Sequence, residues 1–129
     1  MKKTFKVIPY INKLNKNKRM YTKESITKMV EIFERKSAIL TGVDYPEHGE
    51  LSMTKFANEY SIEDLYVNSE ILYADVVLLT ENIKGLVNDL ELVLRPLTIG
   101  TVDADSGEVE VVDLIGLYFV TNDAFVADK

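Results

Sequence analysis

The apolar positions change period several times along the chain, and each change marks the edge of an expected element. Residues 5–11 carry Phe5, Val7, Ile8 and Ile11 in an extended pattern broken by Pro9, which predicts a strand. An Asn- and Lys-rich stretch through Arg19 then predicts an exposed loop. From Thr22 the spacing turns helical. Ile26, Met29, Val30 and Phe33 fall at i, i+3, i+4 and i+7, with Thr22 placed to cap the helix and Glu24 in its first turn. A short apolar run at 38–43 suits a buried strand that delivers into the turn-rich Asp44-Tyr45-Pro46-Glu47-His48-Gly49.

The stretch 56–67 alternates imperfectly. Phe56, Tyr60 and Ile62 share one face and the apolar phase then switches to Leu65 and Val67, which predicts a β-bulge near Glu63. Asn68-Ser69 predicts a turn into a second strand at 70–79, closing a hairpin. Thr80 is placed to cap a second helix whose apolar face is Ile83, Leu86, Val87 and Leu90, weakened slightly by Gly85. After Pro96, strands are expected at 97–102 and 109–120, joined by the acidic turn Asp103-Ala104-Asp105-Ser106-Gly107-Glu108. About six strands and two helices in this order predict an α+β fold: a curled, mostly antiparallel sheet or small barrel with two helices.

Composition narrows the functional classes. A chain of 129 residues has the size of one domain, expected to span 1–129, and 47% hydrophobic residues suffice for a packed core. The net charge of −6 argues against a nucleic-acid binder, although Lys and Arg gather before Ser37. Without cysteine there is no disulfide, thiolate metal site or thiol nucleophile, and one His cannot build a His-rich metal site. No cofactor motif is present, and neither an export signal nor a membrane-spanning run is recognisable.

Three features offer chemistry. The turn from Asp103 superficially resembles a calcium loop, but the third carboxylate or amide before Gly107 is missing and Leu114 stands where a bidentate Glu is needed, so a plain hairpin turn is expected. His48 is the only imidazole and hence the only candidate general base. Thr98, Thr101 and Ser106 are the candidate nucleophiles, none of them in a strained nucleophile-elbow motif. Among seven tyrosines, Tyr60, Tyr73 and Tyr118 suit the core, whereas Tyr21 and Tyr45 suit a strand or an interface equally and, with Arg19, are the candidate interface residues.

The ordered segments resemble the prohead maturation proteases of tailed phages, over most of the chain from about Phe5 to Val126. That family carries an N-x-N-G-R-x-Y-P entry, matched here by Asn15-Lys16-Asn17-Lys18-Arg19-Met20-Tyr21-Thr22, with Lys18 for Gly and Thr22 for Pro. Its G-E-L-D-H-P-E loop is matched by Val43-Asp44-Tyr45-Pro46-Glu47, which puts Tyr45 at the position of the family's His. Matching Gly49-Glu50-Leu51 to G-E-L instead puts Met53 there. The hairpin from Leu65 to Leu79 and the Gly85-Leu86-Val87 helix follow in family order. The S-S-R-G-x-G-S-V segment falls on Arg95-Pro96-Leu97-Thr98-Ile99-Gly100-Thr101-Val102, so Arg95 or Pro96 occupies the nucleophile position.

The resemblance therefore implies a prohead-protease-like fold without the catalytic His and Ser. A phenol of ordinary pKa is a poor base at neutral pH, and neither Arg nor Pro attacks a carbonyl. The expectation is a catalytically inactive pseudoenzyme: a non-enzymatic virion structural protein, auxiliary to the capsid or at the portal vertex of a bacteriophage head, assembled in the host cytoplasm. Its implied partners are phage capsid or portal proteins, with homo-oligomerisation open. The alternative is an active maturation protease using His48 with Thr98 or a neighbouring hydroxyl. A third class is a small inhibitor or adaptor made during infection.

Overall fold

The computed structural model describes residues 1–14, 18–36, 59–90 and 92–121. Its elements run β1 (Lys2–Ile8), β2 (Met20–Tyr21), α1 (Lys23–Lys36), β3 (Tyr60–Asn68), β4 (Ile71–Leu78), α2 (Glu81–Leu90), β5 (Leu92–Val102) and β6 (Glu108–Thr121). The fold is α+β, with two helices and mostly antiparallel strands among the described residues. The strand expected at 38–43 and the loop holding Tyr45 and His48 lie outside the described residues.

The helices form for the reasons their sequences suggest. In α1 the spacing buries Ile26, Met29 and Phe33, together with Ile32, while Val30 packs partly buried against the same cluster. Thr22 caps it: Thr22 Oγ1 accepts from the Ser25 amide at 3.2 Å, and the Ile26 amide donates to the Thr22 carbonyl at 3.0 Å. In α2, Thr80 Oγ1 accepts from the Ile83 amide at 3.1 Å, and Ile83 and Val87 are buried. Asn82 Nδ2 donates to Glu59 Oε1 at 3.0 Å, fastening the helix start to the residue before β3.

Among the described residues the strands make two open three-stranded sheets rather than a closed barrel: β1-β4-β3 and β2-β6-β5. In the first, β3 pairs antiparallel with β4, and the register shifts between Ile62 and Asp64, so Glu63 is the extra residue. This bulge keeps Tyr60, Ile62 and Leu65 all facing the core despite their uneven spacing. The connecting turn is two residues long, with Ser69 and Glu70 both left-handed at φ 52° and 63° and Asn68 opposite Ile71. Such a turn matches the twist of the flanking strands.

Along β4 burial alternates strictly, with Leu72, Ala74, Val76 and Leu78 inward. Tyr73, expected in the core, therefore points the other way. It is half-buried and stacks on Tyr66 with ring centroids 5.8 Å apart. Tyr60 and Tyr118 are buried as expected.

The second sheet is dominated by the long β5–β6 hairpin, whose register shifts twice, at Leu97/Thr98 and at Ile99/Gly100. These irregularities let one hairpin serve two layers. Its open end packs on β1, and its turn end lies under α1. β5 begins at Leu92, five residues before the expected strand, and runs through Pro96. Among the described residues β5 has β6 as its only neighbour, and proline is tolerated on such an edge because an outward nitrogen carries no ladder bond.

Buried side chains from both sheets and both helices form one cluster. Phe119 of β6 sits at its centre, edge-on to Phe5 at 5.2 Å and to Tyr60 at 4.7 Å. Tyr60 also donates its hydroxyl to the Leu117 carbonyl at 2.7 Å, so an aromatic from the first sheet is hydrogen-bonded to the second.

Candidate functional site

The segment that resembles the family's nucleophile motif lies in the middle of β5. Arg95 is only 6% exposed. Its Nη1 donates to the Val7 carbonyl of β1 and to the Leu94 carbonyl, each at 3.2 Å. The guanidinium thus ties β5 to β1 across the join between the sheets, where a buried charge needs acceptors. Pro96 follows, half-buried opposite Leu117, with no N–H to give an oxyanion. Thr98 is half-buried opposite Leu114. Tyr45 and His48 lie outside the described residues, so no distance from either to β5 enters the site.

The candidate interface residues at the entry motif differ in setting. Arg19 is exposed. Tyr21 is half-buried in β2, packs against the core cluster, and accepts a hydrogen bond on its carbonyl from the Asn12 amide at 2.8 Å. Asn12 Oδ1 in turn accepts from the Lys23 amide at 2.9 Å, so the loop before β2 is folded back on the start of α1. This loop also rests on the acidic turn: the Met20 amide donates to the Gly107 carbonyl at 2.7 Å. Gly107 has φ +78°, and a Cβ there would meet the Lys18 carbonyl.

The acidic turn is organised by Asp103. Its Oδ1 accepts from the amides of Asp105 at 2.8 Å and Ser106 at 2.9 Å. The Ser106 and then the Asp105 N–H hold this carboxyl below the usual carboxylate range. The carboxylate is spent on the turn itself, an Asx arrangement of the kind this residue favours. Among the described residues no group of three or more His, Cys, Asp or Glu is placed to hold a metal ion.

A polar cleft of about 760 Å³ opens beside this turn, between the first turns of α1 and the turn end of the β5–β6 hairpin. Glu24, Ser25 and Lys28 line it from the helix; Thr101, Val102 and Glu110 line it from the hairpin. Ser25 escaped the sequence reading because it sits one place from the apolar helix stripe. It is buried, its Oγ donates to the Val109 carbonyl, and it lies 3.0 Å from Thr22 Oγ1. The only sequence signal was its place three residues after the Thr22 cap.

In the first sheet, Tyr66 donates to Asp75 Oδ1 at 3.1 Å, and Thr4 donates to the same oxygen at 2.6 Å. Partial removal from water and the Asp75 carboxylate raise the Tyr66 phenol above its ordinary pKa. Tyr66 is therefore protonated and donating near neutrality. Among the described residues no helix is long and apolar enough to cross a membrane.

Compared with family models, curated proteins and solved structures, the chain matches none of them.

Proposed function

We propose that the chain is a non-enzymatic structural protein of a tailed-phage head, auxiliary to the capsid or at the portal vertex, built on a prohead-protease-like fold whose catalytic pair has been replaced. The observation that carries the non-catalytic part is Arg95. The resemblance puts Arg95 or Pro96 at the family's nucleophile position; Pro96 has no hydroxyl, and Arg95 is a buried guanidinium committed to the backbone of β1 and β5. A side chain used in that way supports architecture and supplies no attacking oxygen. The assignment to a phage head rests on the ordered resemblance of the segments, which bears on fold more directly than on role.

Two experiments test the reading. Purified protein incubated with capsid or scaffold precursor is expected to leave it intact. Cleavage that disappears in a His48→Ala variant would establish the protease alternative instead. Purified particles are expected to contain the chain at a fixed copy number, and its absence from them would remove the structural role in favour of an adaptor or inhibitor.

A further inference from the structure

The cleft beside α1 has an incomplete wall. α1 packs chiefly on β6, where Val109 and Val111 are buried, and leaves β5 uncovered at its turn end. Val102 pairs with Val109 and shares its face, yet Val102 is 44% exposed and Val109 only 7%. Ile99, Gly100 and Thr101 are exposed as well. Among the described residues nothing pairs with the outer edge of β5, and Leu97-Thr98-Ile99-Gly100-Thr101-Val102 contains no charge. Proteins ordinarily blunt such an edge with lysine, proline or a covering element. Here the one proline lies just before the open stretch.

The charges around the cleft are one-sided. Among the described residues that line it, Glu24, Asp103, Glu108 and Glu110 are acidic and Lys28 is basic. An extended segment added to β5 would continue the sheet, place alternate side chains on the face shared by Val102, and place the others on the opposite face beside Glu110, the partner of Thr101.

We propose that the outer edge of β5 and the adjoining cleft bind an extended protein segment in which apolar residues alternate with Lys or Arg. Main-chain hydrogen bonds along 97–102 supply affinity, and the rim carboxylates select the basic side chains. The site is independent of the head-assembly reading, since it uses neither Arg95 nor the loop at 44–49.

The test is a fluorescence-anisotropy titration of the full chain with two labelled decapeptides, one alternating Val with Lys and one alternating Val with Glu. The Val/Lys peptide is expected to bind at least tenfold more tightly at 50 mM salt and to lose most of that advantage at 500 mM. The double variant Glu24→Lys, Glu110→Lys alters two exposed side chains and is expected to reduce or invert the preference, with far-UV circular dichroism confirming that it stays folded. Failure of both peptides to bind, equal binding of the two, or an unchanged preference in the folded double variant would each overturn the proposal. Concentration-dependent dimerisation without peptide binding would assign the edge to a second copy instead.

Discussion

Arg95 carries two separable consequences. As a buried donor it supplies a hydrogen bond to the Val7 carbonyl of β1. Arg95→Ser replaces the guanidinium with a hydroxyl at one of the two residues, Arg95 and Pro96, on which the proposed reading places the lost nucleophile, so it tests chemistry and architecture together. We expect a loss of about 2–4 kcal/mol in urea unfolding, from hydrogen bonds to a charged group and the volume removed, with no peptidase activity gained. Appearance of precursor cleavage in that variant would mean that a hydroxyl was all the site lacked. Tyr60 offers a smaller probe of the same kind. Tyr60→Phe keeps the ring contact with Phe119 but strands the Leu117 carbonyl, and a loss of about 1–3 kcal/mol in thermal unfolding is expected.

The two hairpins answer to different turn chemistry. At the β3–β4 turn, Ser69 and Glu70 both adopt left-handed φ without a glycine between them. The pair Ser69→Asn, Glu70→Gly supplies the residues that this conformation favours and should raise stability by about 1 kcal/mol, read as a higher melting temperature. The β5–β6 turn depends on the ionised form of Asp103. Its carboxyl binds protons less readily in the folded chain than in the unfolded one, so its contribution is complete above the ordinary aspartate range and is lost as pH falls through the lowered folded value. Amide exchange at Asp105 and Ser106 should therefore speed up, relative to the core, as acid is added. Asp103→Asn should abolish that pH dependence.

These elements also show what the sequence could disclose. The β3 bulge, both helix caps and the β3–β4 hairpin were legible because each depends on residues a few positions apart. The start of β5 was not, since Pro96 signals a break unless the strand is known to lie at an edge, which is a property of the sheet. Tyr73 was misread for a related reason: a strand aromatic suits either face, and only the register against β3 and β1 decides between them. Of the candidate site, the residue types at 95 and 96 were visible, but the bond from Arg95 to β1 was not, because nothing local links residue 95 to residue 7.

At the scale of the molecule, the ties that close the core join distant parts of the chain. Ser25 of α1 bonds the Val109 carbonyl 84 residues away, and Arg95 reaches Val7 across 88. The β3–β4 hairpin, joined by a two-residue turn, can form early, whereas β1 must wait for β4, and β2 and the packing of α1 must wait for β6. During synthesis, Phe5 stays without its Phe119 neighbour until β6 has emerged. Folding should thus be limited by the arrival and docking of β6, leaving the uncharged stretch of β5 exposed to other chains in the interval. Removing β6 should cost more than one strand: the first sheet would lose its cover, and the N-terminal half would be left as a partly structured species prone to association.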